Sequence, residues 1–348
     1  MKNILITAYS FVAAIIGAGF ASGQEILCYF SVFGHNGIIG ILLSCIVFAV
    51  FTFAVYSVCV QKHIYTYCDF IETIPHHFLR KTIHILTGVF SFAVYSVMLA
   101  ASGQIFKSVS GLNAATGALL CTIICSVLFC RGNDKVFDFN GILGIVLTAG
   151  IVISCLYILR YREFHVFISY VKPVTNSFTY AGYNLITTTP VLVNLSRRLH
   201  SKKEVIASSL ISSFALFIIM LLIFGILTAY INKINLGQFP MLTMALRQNK
   251  LLGLLYGFLL ITAIATTMLS SGGSVCETFN LNKKPFKIWI TGFLAYFVSG
   301  FGFSKLINSA YRICGIIGFI ICLSIVFYCF KILFKKLDFY SFLANNKE

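Results

Sequence analysis

Gly17-Ala18-Gly19-Phe20-Ala21-Ser22-Gly23-Gln24-Glu25 lies in the middle of the first apolar segment of the chain, which runs from about Ile4 to Phe33. Thirty residues of helix rise roughly 45 Å, more than the ~30 Å hydrocarbon core of a bilayer. The midpoint therefore falls near Ala18 and Gly19. A segment that should be unbroken helix carries glycines, a serine, a glutamine and a carboxylate at its centre. Glycine costs ~1 kcal/mol in a helix interior, and an acid inside a membrane costs at least ~2.5 kcal/mol. Irregular backbone at that depth is tolerated only where protein or a water-filled cavity satisfies it. The stretch predicts an unwound break in a membrane helix, with a binding site around it.

The rest of the chain fits that reading. It is 59% hydrophobic and 10% charged, with mean hydropathy +0.92, which lies outside soluble composition and indicates a polytopic all-α membrane protein. The net charge of +16 does not require nucleic acid. Basic residues crowd alternate loops (Lys62, Arg80 and Lys81; Arg197, Arg198, Lys202 and Lys203; Lys283, Lys284 and Lys287), which places both termini in the cytoplasm of a multi-pass inner-membrane protein. Lys2, an apolar core and the small residues near Ala18 imitate a signal peptide, but the apolar run continues past them to Phe33. The 12 cysteines form no Cys-x-x-Cys pair and read as small buried hydrophobes.

Ten spans are expected: Ile4–Phe33, Ile38–Val60, Lys81–Val109, Ala115–Cys130, Phe137–Leu159, Ser177–Leu195, Val205–Ile231, Leu251–Cys276, Phe286–Phe303 and Leu306–Phe334. Gly34-His35-Asn36-Gly37 predicts a tight turn, Tyr161–Lys172 an interfacial helix, and Asn232–Lys250 a long outer loop. The sixth span carries Tyr180-Ala181-Gly182-Tyr183-Asn184 and then Thr187-Thr188-Thr189-Pro190, so a second break is expected there. Five spans per set is odd, so the second set must cross the membrane inverted relative to the first. Paired interrupted segments in corresponding positions point to a transporter site. The expected organisation is one transmembrane domain over residues 1–334, with repeats at about 4–159 and 177–334, followed by a short charged cytoplasmic tail over 335–348.

The glycine-rich stretch from Gly17 to Glu25, together with Tyr180-Ala181-Gly182-Tyr183-Asn184, resembles the YkvI-type bacterial membrane proteins. That group looks like a branch of the amino acid–polyamine–organocation superfamily, whose fold is the LeuT-type 5+5 inverted repeat with broken helices 1 and 6. The resemblance implies a secondary transporter that works by alternating access. Sodium-coupled carriers of this fold share an ion site built from two carbonyls before the first break, a carbonyl in span 8, and two hydroxyls three and four residues later. Here Ala13 and Ile16, then Ala263, Thr266 and Thr267, match that spacing. The bland reading is that threonines in membrane helices bond their own carbonyls and small residues allow close packing.

At the break, free N–H groups from Ser22 onward suit a carboxylate, and free carbonyls near Ile16 suit an ammonium or cation, so an amino-acid zwitterion fits both ends. Substrate-lining candidates are Gly17, Ala18, Gly19, Ala21, Ser22, Glu25, Tyr95, Tyr180, Gly182, Tyr183 and Asn184. Ser22-x-x-Glu25 is also a capping box, which alone would account for both residues. At hydrocarbon depth, Glu25 would be protonated, paired or hydrated, and could couple protons or meet a cationic substrate. Asp69, Glu72 and His76 share one face of a helix and read as solvated rather than metal-binding.

There is no nucleophile–base arrangement, phosphate loop or zinc-ligand set, so no enzyme and no cofactor is expected beyond sodium as a coupling ion. The expected function is secondary transport of a small organic solute, an amino acid or related amine, driven by sodium or protons. The alternative is a sensor of the same fold that binds solute without moving it. The expected partners are the solute and the lipid bilayer, and oligomeric state is not legible.

Overall fold

The structure, a computed structural model, describes residues 2–111, 113–131, 133–159, 173–230, 239–281, 284–302 and 311–345. Helices account for nearly all of them, and no strand occurs among the described residues. The first apolar segment forms α1 (Lys2–Ile15), a single turn α2 (Ala18–Ala21) and α3 (Gln24–Tyr29). A 3-10 turn (Ser31–Asn36) leads into α4 (Gly37–Lys62). Then come α5 (Tyr67–Glu72), α6 (His77–Ser110), α7 (Ala114–Cys130), α8 (Asn133–Leu159) and α9 (Val174–Leu195). The last five are α10 (Lys202–Tyr230), α11 (Pro240–Gln248), α12 (Lys250–Thr278), α13 (Pro285–Ser299) and α14 (Arg312–Asn345).

Among the described residues, five stretches are long and apolar enough to cross a membrane: Ser31–Lys62, His77–Lys107, Lys202–Tyr230, Lys250–Thr278 and Arg312–Phe334. Lys2–Ile15, Ala114–Cys130 and Ile145–Leu159 are shorter apolar helices. The expected first span falls short because its helix ends at Ile15, and α9 because its length is spent on threonines, tyrosines and asparagines. The expected interfacial helix at Tyr161–Lys172 lies outside the described residues. Within the expected outer loop, Pro240 sits in the first turn of α11, where its missing N–H costs nothing. The final helix continues to Asn345, into the stretch expected as a tail.

Packing sorts the helices into two groups. In one, α6 packs against α7, α12 and α13. In the other, α4 packs on α9, α10 and α14, and α1 packs on α10 and α9. The two groups meet where α12 touches α1, α2 and α9 and α6 touches α9, and α8 packs on both α1 and α12. Every residue of α9 from Thr179 to Leu195 is buried, so this helix runs through the middle of the bundle with no outward face.

The expected second break does not form: α9 is continuous in backbone conformation from Val174 to Leu195. The residues that suggested unwinding have other uses. Thr187, Thr188 and Thr189 donate their hydroxyls to the carbonyls of Tyr183, Asn184 and Leu185 at 2.7–2.9 Å, each four residues back. Those bonds support the turn that Pro190 would otherwise weaken. Gly182 is a contact point: a Cβ there would collide with the Gly315 carbonyl and the Phe319 amide of α14. Its missing side chain lets two backbones approach.

Candidate functional site

The first segment is interrupted twice rather than once. Helix α1 ends as the Gly17 amide turns to the Ile15 carbonyl (2.8 Å) instead of continuing the α-helical ladder. After the turn of α2, Gly23 takes φ +81°, a left-handed conformation that glycine adopts without penalty, and α3 restarts. The freed carbonyls are met from neighbouring elements. Tyr256 on α12 donates its hydroxyl to Ala21 O at 2.7 Å, and the Met241 amide at the head of α11 donates to Ser22 O at 2.8 Å. Ala13, Ile16, Ala18, Phe20 and Ala21 are fully buried. The break is therefore held inside protein, as backbone at this depth requires.

The capping box takes a different form from the one expected. Ser22 Oγ does accept from the Gln24 amide (3.3 Å), and it donates to Gly19 O (3.0 Å). Glu25, however, does not reach back. Its carboxyl folds over Gly19, where a Cβ would strike Oε1. Glu25 is 4% exposed, and its Oε2 has no hydrogen-bond partner. The left-handed Gly23 explains the change, because it caps α3 itself and redirects the acid away from the Ser22 amide.

Aromatic rings surround this carboxyl. Tyr29 on α3 lies 5.6 Å from Tyr180 and 6.1 Å from Tyr183, ring centre to ring centre. Tyr180 and Tyr183 on α9 meet edge-on at 5.6 Å, and Tyr183 stacks on Tyr311 at 4.6 Å. All four tyrosines lie near Glu25. The Tyr183 hydroxyl approaches the carboxyl without a well-formed hydrogen bond, and the Tyr180 hydroxyl is also buried without a partner. Arg312, at the head of α14, lies near Tyr29 and Cys28. An unpaired buried carboxylate costs several kcal/mol. Such a group is met by a cation or a proton.

The residues matched to an ion site also converge. Thr267 Oγ1 donates to Ile16 O across the α1–α12 contact at 3.3 Å, and a Cβ on Gly17 would press on that hydroxyl at 2.9 Å. Thr266 Oγ1 donates to Ala263 O at 3.0 Å. Ala13, Ile16, Ala263, Thr266 and Thr267 are all buried. Here each hydroxyl is turned to a protein carbonyl, so a cation would have to displace those bonds to gather the same oxygens.

Not every candidate joins this centre. Tyr95 packs on Phe129 (6.2 Å) and against Gly272, among α6, α7 and α12, with the Cys125 thiol near its hydroxyl. Gly182 faces α14. Asn184 donates its amide to Tyr180 O within its own helix (3.0 Å). Asp69 caps α5 with Thr66 (2.6 Å), while the His76 ring lies on Tyr328. Sequence reading missed Tyr29, Tyr311 and Tyr256. Only Tyr29 had a local signal, four residues after Glu25 on the same helical face.

The chain is 23% identical to the membrane protein YkvI of Bacillus subtilis over 318 residues, covering 88% of this chain and 91% of that protein. It is 24% identical to the Bacillus subtilis protein YyaD over 332 residues, covering 90% and 94%. In three dimensions it matches a Na+-coupled sialic acid symporter with a TM-score of 0.68 at 13% identity, covering 93% of this chain and 77% of that one. The chain resembles the YkvI-type membrane proteins and has the LeuT fold. The LeuT-type fold also aligns with Mhp1, a nucleobase-cation-symport-1 family transporter (TM-score 0.60, 14% identity, coverage 90% and 74%). A third match is a manganese transporter of Eremococcus coleocola (TM-score 0.56, 13% identity, coverage 93% and 76%). No family model matches the chain.

Proposed function

We propose that this YkvI-type protein is a secondary active transporter of a small organic solute, an amino acid or related amine, driven by sodium or protons. The observation that carries the reading is Glu25: a buried carboxyl with an unpartnered oxygen, laid over a main-chain break and ringed by four tyrosines. The protein's own carboxylate lies where a substrate carboxylate would otherwise meet the Gly19 backbone. The arrangement therefore favours the ammonium end of a ligand, with carboxylate and tyrosine faces as its partners. The solved proteins of the same fold, a Na+-coupled sialic acid symporter among them, support transport as the activity.

The proposed architecture is a single transmembrane domain of ten spans in two inverted halves, with both termini in the cytoplasm of the inner membrane. Pairwise packing supports it: α1 on α8 in the first half corresponds to α9 on α14 in the second, five spans later. In this reading α1–α3 and α9 rock against α6, α7, α12 and α13. The sodium arm rests on Thr267 bridging α12 to Ile16, and the proton arm on Glu25. With α9 unbroken, the moving hinge belongs to the first segment.

The test is a thermal-shift screen of amino acids and amines on purified protein, with sodium present or absent and at two pH values, followed by uptake into proteoliposomes. Concentrative uptake of a stabilising compound under a sodium or proton gradient is expected. Stabilisation without uptake under either gradient would overturn the transporter assignment and leave a solute-binding protein.

A further inference from the structure

A cavity of about 510 Å3 opens on the bundle, away from the break. Its walls come from α4, the start of α10 and α14: Phe53, Val60, Val205, Phe330 and Leu333 are apolar, and Phe334 stands 59% exposed at its lip. Its other end is polar, with Gln61, His200, Ser201 and Lys202. The volume falls in the range of roughly 300–1,000 Å3 typical of small-molecule sites. The same three helices present Ile46, Leu210, Phe214 and Phe327 outward, each more than half exposed, as an apolar face suited to lipid. The cavity is zoned as an amphiphile is, apolar along its length and polar at one end, on helices whose other exposed residues suit lipid.

Charge narrows the occupant. Lys202 lines the polar end, and Lys62 follows Gln61 in the last turn of α4. Lys203 and Lys331 are exposed beside them. Glu204, the acid at the head of α10, is engaged by the His200 amide at 2.7 Å and caps the helix with Ser201. The rim is basic, and it also holds one unmet acceptor: Gln61 Oε1 is buried without a partner. A phosphate answers the lysines, and a hydroxyl-bearing headgroup answers Gln61.

We propose that this cavity is a binding site for an anionic glycerophospholipid from the surrounding membrane, with an acyl chain along the phenylalanines and the headgroup at Lys202 and Gln61. The site is independent of the transport pathway. It couples α4, α10 and α14 to the composition of the leaflet on that side.

The chain has one tryptophan, Trp289, on α13, which makes a fluorescence test clean. The reporter is Trp289→Phe combined with Phe334→Trp, in phosphatidylcholine nanodiscs carrying a small fraction of lipid with brominated acyl chains. Brominated phosphatidylglycerol is expected to quench the new tryptophan at a severalfold lower mole fraction than brominated phosphatidylcholine. Adding Lys202→Gln is expected to reduce that preference roughly fivefold, the worth of one lysine near an anionic surface. Equal quenching by the two lipids would overturn the proposal, as would a preference unchanged by Lys202→Gln. Relief of quenching by millimolar glycerol phosphate would also overturn it, by showing a site for the soluble headgroup. Because Phe334 and Lys202 are both exposed, neither substitution threatens folding.

Discussion

Replacing Gly182 by alanine is expected to destabilise the protein, although alanine is the better helix former. In an open helix the exchange favours alanine by about 1 kcal/mol. In α9 the added Cβ would run into the Gly315 carbonyl and the Phe319 amide, and would lie 2.9 Å from the Phe319 Cα. All of these are main-chain atoms of α14, so no side-chain rotation clears them and the two helices must part. Overpacking costs ~1–3 kcal/mol, and parting two helices falls at the upper end. A cost of ~3 set against a gain of ~1 leaves a net loss of about 2 kcal/mol. At roughly 2.1 cal/mol/K of unfolding entropy per residue over a chain of this length, that lowers Tm by about 3 °C. A melt of detergent-purified protein followed with a thiol-reactive dye suits the measurement, because Cys45, Cys59, Cys155, Cys322 and Cys329 are buried. The matched control is Gly257→Ala on α12, where the Cβ would meet only Leu242 Cδ1 at 3.9 Å and Tm should hold or rise. If Gly182→Ala melts at or above the wild type, or no lower than the control, the packing account of this glycine is wrong.

Three further outcomes are expected. Thr267→Ala should abolish any stabilisation by sodium in the same melt while leaving stabilisation by amines at saturating concentration; an undiminished sodium response would remove Thr267 from the ion site. Glu25→Gln should weaken amine binding at least tenfold, the worth of a charge-assisted hydrogen bond, and flatten the pH dependence of uptake; wild-type behaviour in both would reduce Glu25 to a packing role. Tyr256→Phe leaves the Ala21 carbonyl without its donor and should cost about 1–3 kcal/mol, read as a lower Tm; no change would mean that water or another donor serves the break as well.

The break in the first segment was legible because its evidence is local. Several glycines and an acid at mid-membrane depth contradict a continuous helix whatever surrounds them. The sixth span misled for the complementary reason. Its glycine, asparagine and proline look the same whether they unwind a helix or press it against a partner, and the partner here, Gly315, is remote in sequence. The threonines read as part of a break instead repair the helix by bonding backward, a choice that depends on the polar crowding around them. The ion-site residues could be aligned by spacing within α12, but that Thr267 faces Ile16 is a property of how two helices cross. The tyrosine ring around Glu25 was half visible: Tyr180 and Tyr183 stood out beside Asn184, whereas Tyr311 comes from the far end of the chain. Ser22 and Glu25 matched a cap motif, and only the left-handed Gly23 between them directs the acid over Gly19.

The bond from Met241 to Ser22 ties the short helix α11 to the least regular part of the first segment. Any swing of that segment must either drag α11 along or let go of it. A surface helix is thereby made into a pointer for an event buried well beneath it. Arg247, exposed on α11, is a natural place for a spin label or dye, and distance changes recorded there would report the hinge without a probe ever entering the core.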